Sequence, residues 1–184
     1  MKNLRILAIA FVTVISLNSC SNDDNNPINE DEVITTVTTT LTGGGQVITL
    51  TSRDLDGDGP NAPVVTVSNP LTAGTSYIGT VSFLNETANP VENITSEILT
   101  EGVDHQLFFQ APSAVGTFAY SDLDVNGKPI GLQFTLATAS ATTGSLIVTL
   151  RHLPNKSATG VSAGDITNAG GTTDAAVTYP IVIQ

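Results

Sequence analysis

Val33-Ile34-Thr35-Thr36-Val37-Thr38-Thr39-Thr40-Leu41 is followed by Thr42-Gly43-Gly44-Gly45 and then by Gln46-Val47-Ile48-Thr49-Leu50-Thr51. β-Branched residues crowd both flanks, and their stiff side chains suit a pleated strand better than a helix. The glycines between them supply turn conformations. The stretch therefore predicts a β-hairpin. The same alternation of short β-rich runs and Gly, Pro or Asn punctuation continues to the C-terminus. Further strands are predicted over 64–67, 76–84, 106–110, 116–120, 132–136, 145–153 and 176–183. Many short strands at this spacing indicate an all-β fold, an antiparallel β-sandwich over 33–184.

One segment breaks the pattern. Asn89 can cap a helix, Pro90 suits its first position and Glu92 stands three residues after the cap. Val91, Ile94, Ile98 and Leu99 then fall on one face, so a short helix is predicted over about 90–101, covering one end or face of the sandwich.

The chain also repeats itself. Arg53-Asp54-Leu55-Asp56-Gly57-Asp58-Gly59 echoes Ser121-Asp122-Leu123-Asp124-Val125-Asn126-Gly127. Gly74-Thr75-Ser76-Tyr77-Ile78 likewise echoes Thr143-Gly144-Ser145-Leu146-Ile147. Two similar units, about 33–88 and 103–184, are expected. Each would run strand, strand, acidic loop, strand, turn, strand. Four strands alone bury too little, so the two units are expected to share one core.

Ahead of the β region, Lys2 and Arg5 precede an apolar run from Ile6 to Leu17, and Leu17-Asn18-Ser19-Cys20 closes it. The run is about a dozen residues, short of the ~20 that span a bilayer. A basic start, an apolar centre and a small residue before the cut define a secretory signal peptide, here residues 1–19. Cys20 is the only cysteine. The segment resembles the lipobox of bacterial lipoproteins. That resemblance implies that Cys20 becomes an acylated N-terminus and a membrane anchor. Residues 20–32 are polar and acidic and read as a tether. Ser21-Asn22-Asp23-Asp24 resembles the acidic sorting signal that sends some Gram-negative lipoproteins to the outer leaflet of the outer membrane.

The chain is also similar to short Gram-negative lipoproteins with runs like Asp54-Leu55-Asp56-Gly57-Asp58-Gly59-Pro60-Asn61-Ala62-Pro63 and Leu150-Arg151-His152-Leu153-Pro154-Asn155-Lys156. Some of these bear the label of a type 1 periplasmic binding fold, which implies a two-lobed α/β protein. The length and the lack of βαβ alternation point instead to the sandwich.

After residue 19 the chain carries four basic residues against seventeen acidic ones, a formal charge of −13. Such a surface repels nucleic acid and anionic headgroups. With Cys20 acylated no thiol remains for a disulfide. Tryptophan is absent and only three tyrosines occur, which disfavours a stacked-aromatic carbohydrate platform.

Two constellations carry chemistry. Asp54-x-Asp56-x-Asp58-Gly59 resembles the first half of an EF-hand calcium loop, in which alternate carboxylates converge around a glycine turn. The second copy offers Asp122, Asp124 and Asn126. The twelfth positions, where a bidentate glutamate belongs, are Val65 and Gln133. Half of the ligands are thus unassigned. Weakly bound calcium and plain Asp–Gly turns are both open, with turns favoured. His105 and His152 could bind iron, copper or zinc as a pair. No third ligand is evident in the sequence, so they read as ordinary strand-face histidines. Gly160-Val161-Ser162-Ala163-Gly164 has the Gly-x-Ser-x-Gly spacing but stands apart from any predicted strand, so it is not read as a nucleophile elbow, and Lys-containing phosphate loops are absent.

The expected function is a non-enzymatic cell-envelope lipoprotein of the outer membrane, presenting an acidic β-sandwich as an interaction module to a protein partner there. The alternative is a small-ligand or calcium-binding accessory lipoprotein of an outer-membrane system.

Overall fold

The computed structural model describes residues 32–57 and 59–184. Cys20, the signal peptide, residues 20–31 of the tether and Asp58 lie outside the described residues. The fold is an all-β sandwich of two antiparallel sheets with a single short α-helix. Strands β1 (Thr36–Gly43), β2 (Gln46–Arg53), β3 (Val64–Val67), β4 (Ser76–Leu84), β6 (Gly116–Tyr120) and β7 (Gln133–Thr138) form the larger sheet, in the order β3-β2-β1-β4-β7-β6. Strands β5 (His105–Gln110), β8 (Thr142–His152) and β9 (Thr172–Ile183) form the smaller one, in the order β5-β8-β9.

The opening hairpin closes tightly. Gly43 opposes Gln46, and Gly44 and Gly45 make the turn with φ of 57° and 75°. Two successive positive φ values match the twist of the flanking strands, and glycine adopts them without a Cβ penalty.

Both sheets turn one face inward. Leu41, Leu50, Phe83, Phe134 and Leu136 from the larger sheet share one core with Leu107, Leu146, Leu150, Tyr179 and Ile181 from the smaller. Tyr179 crosses between them, its buried hydroxyl donating to Val37 O at 3.0 Å. At the far end of β9 the backbone pairs with the connection between β3 and β4. Leu71 bridges Ile183 in parallel, Leu71 N–H donates to Val182 O at 2.8 Å, and Gln184 N–H donates to Leu71 O at 2.9 Å.

The helix, α1 (Ile94–Thr100), is shorter than 90–101 and starts later. Glu92 exchanges backbone hydrogen bonds with Asn85 at 3.1 Å each way, which holds it extended and delays the helix. Ile94 and Ile98 are buried, but Val91 and Leu99 are exposed, so the apolar face is narrower than the pattern predicts. The helix finishes what β7 leaves open. β7 pairs with β4 only as far as Thr80. Beyond that, Thr95 Oγ1 accepts from Phe83 N–H at 2.8 Å and donates to Phe83 O at 3.1 Å.

The two sequence units match in strand order and in two pairings. β1 pairs with β4 as β5 pairs with β8, and β2 with β3 as β6 with β7. The β1–β2 pairing has no counterpart, because β5 and β6 lie in different sheets. A two-glycine turn forces β1 and β2 together, whereas residues 111–115 let the chain change sheets. The second unit also continues into β9, which the first lacks.

Candidate metal centre

The smaller sheet brings three ligating side chains together at the end where β9 begins, and the segment before β1 adds a fourth. His105 opens β5 and His152 closes β8, and the two are direct cross-strand partners. Opposed residues of an antiparallel pair project from the same face. Their rings accordingly stack, with centroids 4.8 Å apart and planes 22° from parallel.

Asp174 arrives by a β-bulge. Leu150 opposes Ala175, and the next residue, Arg151, opposes Thr173, so Asp174 is the extra residue on β9. A bulge shifts the alternation of a strand and re-aims one side chain. Here it turns the Asp174 carboxylate inward, 3.8 Å from His105 Nε2 and 3.9 Å from His152 Nδ1. The fourth group, Glu32, precedes β1. Its Oε1 lies 3.3 Å from His105 Nε2.

The side chains of His105, Asp174, His152 and Glu32 are 0%, 5%, 6% and 8% exposed. His105 Nδ1 is 3.1 Å from the carbonyl of Glu101, the residue that ends α1. A carbonyl only accepts, so the hydrogen-bond network assigns the proton to Nδ1. In the neutral ring, the Nε2 lone pair then faces two carboxylates. Neither His105 Nε2 nor Glu32 Oε2 has a hydrogen-bond partner among the described residues, and both are buried. Buried polar atoms are normally satisfied. Nε2 and the two carboxylates can share a cation between them, either a proton on the ring, which makes ion pairs of the contacts, or a metal ion.

One ligand atom from each of the four residues lies within 4.8 Å of the others. Zinc ligands stand ~2.0–2.2 Å from the ion, so tetrahedral donors sit ~3.3–3.6 Å apart. Side-chain tightening of about an ångström closes the shell around such an ion. Two imidazoles with two carboxylates suit zinc and neighbouring first-row divalent ions. Calcium prefers six to eight oxygens. Two carboxylates also neutralise a divalent charge, which lessens the cost of burying it. Asp174 further lines an open groove of about 340 Å³, with Ile34, Ser52, Val65 and Val177, which gives the centre an approach from solvent.

The residues singled out for calcium do other work. Asp54 Oδ1 accepts from Asp56 N–H at 3.3 Å and Gly57 N–H at 3.0 Å, a side-chain-supported turn. Asp56 Oδ2 takes the Asn61 side-chain amide at 2.7 Å, and that bond leads in holding its carboxyl below the usual range. Asp122 accepts from Gly131 N–H at 2.8 Å and Gln133 N–H at 3.1 Å. Asn126 uses its backbone N–H, which donates to Asp124 Oδ1 at 2.8 Å. Asp124 Oδ2 pairs with Lys156 Nζ at 2.9 Å. That ammonium, itself buried, also donates to Gly102 O and, at 2.9 Å, to Pro129 O. At the second loop, Lys156 thus occupies one oxygen of Asp124. At the first loop Asp54 and Asp56 serve turns.

Of the sequence-predicted groups, only the two histidines come together. The sequence reading places Glu32 in the tether and gives Asp174 no role. Asp174 is the only acid within β9, and that oddity is the one signal that points to it. Comparison with protein-family models, with curated proteins and with solved structures finds no match for this chain.

Proposed function

We propose that this chain is a lipid-anchored cell-envelope protein whose non-enzymatic β-sandwich holds one divalent transition-metal ion of the zinc class through Glu32, His105, His152 and Asp174. The reading rests on one observation: a buried N₂O₂ donor set in which His105 Nε2 faces the Glu32 and Asp174 carboxylates, while neither it nor Glu32 Oε2 has a hydrogen-bond partner among the described residues. Four protein ligands make a closed shell. Catalytic zinc sites keep a position open for water, so a closed centre supports a holding role rather than hydrolysis. The anchor and the outer-membrane address rest on the lipobox-like Leu17–Cys20 and on Asp23 and Asp24.

The full-length acylated protein, purified in detergent and stripped with a chelator, tests both parts. Calorimetric titration is expected to show one Zn²⁺ per chain and no matching heat from Ca²⁺. A His152→Ala, Asp174→Asn double variant is expected to lose the zinc isotherm. No zinc uptake by the wild type refutes the centre. Cys20→Ala is expected to move the protein from the membrane to the soluble fraction, and retention in the membrane refutes the anchor.

A further inference from the structure

We propose that the outer edge of β6 is a self-association surface. A second copy of this chain adds its own β6 there, antiparallel, and extends the larger sheet across a two-fold axis.

An open sheet edge offers unpaired N–H and C=O groups to other strands, and natural proteins blunt such edges. The edges here are β3 and β6 of the larger sheet and β5 and β9 of the smaller. Three of them are blunted. β3 is only four residues long. On β9, the carbonyls of Val182 and Gln184 accept from Leu71 N–H at 2.8 Å and Ala73 N–H at 2.9 Å. Pro180, on the same edge, has no N–H to offer. On β5, Leu107 N–H donates to Ile130 O at 2.7 Å, and Leu107 O accepts from the Tyr120 hydroxyl at 2.6 Å.

Strand β6 carries none of these devices. Gly116-Thr117-Phe118-Ala119-Tyr120 contains no charge and no proline, and it pairs with β7 alone. Just beyond its two ends, Ser121 N–H donates to Gln133 O at 2.9 Å and Ala139 N–H to Val115 O at 3.1 Å. Hydrogen-bonded pairs alternate along an antiparallel ladder. Thr117 and Ala119 therefore bond to β7, while Gly116, Phe118 and Tyr120 turn their N–H and C=O outward. Among the described residues nothing takes those groups. A groove of about 270 Å³ is lined by residues 117–120 together with Phe109, Ala163 and Gly164, all uncharged.

Charge and register name the occupant. At a formal −13 after residue 19, two copies repel unless the faces that meet are free of unpaired acid. The acids next in sequence to this surface are engaged within their own chain. Asp122 accepts from Gly131 and Gln133 N–H, and Asp165 from Thr167 N–H at 2.9 Å. The strand is also its own complement. An antiparallel copy centred on Phe118 sets Phe118 against Phe118, Tyr120 against Gly116 and Thr117 against Ala119. An aromatic ring opposite an edge glycine is a favourable cross-strand pair, and so are two facing aromatics. Each outward residue then exchanges N–H and C=O with its counterpart. No residue of this surface is a ligand of the proposed metal centre.

Sedimentation equilibrium of the full chain in density-matched detergent tests this. The wild type is expected to pass from monomer to dimer as its concentration rises. Thr117 and Ala119 are exposed, so charges placed there spare the core, and circular dichroism checks the fold. Thr117→Lys with Ala119→Lys sets like charges opposite each other twice in the dimer and is expected to weaken it ~10-fold or more. The same change makes the chain less acidic, so general repulsion alone predicts a tighter dimer. Thr117→Lys with Ala119→Glu sets opposite charges together and is expected to dimerise at least as tightly as the wild type. A monomeric wild type leaves the edge to a strand of another protein and overturns self-pairing. A dimer that both variants change alike, or that neither changes, overturns the β6 register and with it the proposal.

Discussion

Lys156 and Asp124 form a buried pair, with side chains 5% and 2% exposed. Burial acts to raise the Asp124 pKa. Hydrogen bonds from the Lys128 N–H and the Lys156 ammonium outweigh it and lower the pKa overall. A carboxylate with a depressed folded pKa contributes stability that is fully present above its ordinary value near pH ~4. That contribution is lost as pH falls through the lowered value. Removing one partner of a buried pair strands the other. Lys156→Met is therefore expected to cost ~3–5 kcal/mol. It also leaves Gly102 O and Pro129 O without their donor. Adding Asp124→Asn should recover part of that loss, and a double-mutant cycle by urea denaturation measures the coupling. A single-variant loss below ~1 kcal/mol, the size of a surface ion pair, would show that the pair does not hold the loop. At this scale the sequence was least legible. The Asp-x-Asp-x-Asn-Gly spacing signals a cation and is silent on which cation. The answer lies thirty-two residues away at Lys156.

Elements read more easily than residues. Eight of the nine strands follow from β-branched runs between turn residues to within a few positions, because strand alternation is local. β9 was placed to begin at Ala176 and begins at Thr172. The bulge at Asp174 breaks the period-two pattern on which that reading depends, so the irregularity that builds the site also hid it. The helix was located but overextended, since the Asn85–Glu92 pairing that delays it is not visible in local sequence. Gly79, in the middle of β4, stands where a β-former is expected. It opposes Phe134 on β7, and a Cβ at position 79 would overlap the Phe134 ring. The ring lies over the bare backbone and fills the space a side chain would take. Gly79→Ala gains β-propensity but must displace a fully buried ring. Overpacking of this kind costs ~1–3 kcal/mol. The midpoint of urea unfolding should fall with an unchanged m-value. A midpoint equal to or above the wild type would mean that the ring moves freely.

Across the whole molecule, strand β9 is tied at both ends. Its last residues bridge Leu71, in the connection between β3 and β4 of the larger sheet. At its start, the centre formed by Asp174 with His105 and His152 reaches Glu32, just ahead of β1. The repeat in the sequence leads to an expectation of two units around one core. It could not reveal that β5 and β6 part into different sheets, because pairing across 111–115 is a tertiary choice. Nor could it reveal the candidate metal centre, whose residues are spread from 32 to 174 and meet only when β5, β8 and β9 pair and the segment before β1 reaches them. That dependence makes ion binding a probe of the entire fold. An ion that binds only the assembled sandwich stabilises it by mass action, ~2.7 kcal/mol at a hundredfold excess over the dissociation constant. For a domain of this size each kcal/mol shifts Tm by ~2–4 °C. Saturating Zn²⁺ is thus expected to raise Tm by ~5–10 °C on the same scale. Ca²⁺ and Mg²⁺ at equal ionic strength control for the screening of an acidic surface. Asp174→Asn should abolish the zinc-specific part, while Asp56→Asn, whose carboxylate is taken up by the Asn61 amide, should leave it intact. A shift that calcium reproduces, or that survives Asp174→Asn, would place the stabilising cation elsewhere on the acidic surface.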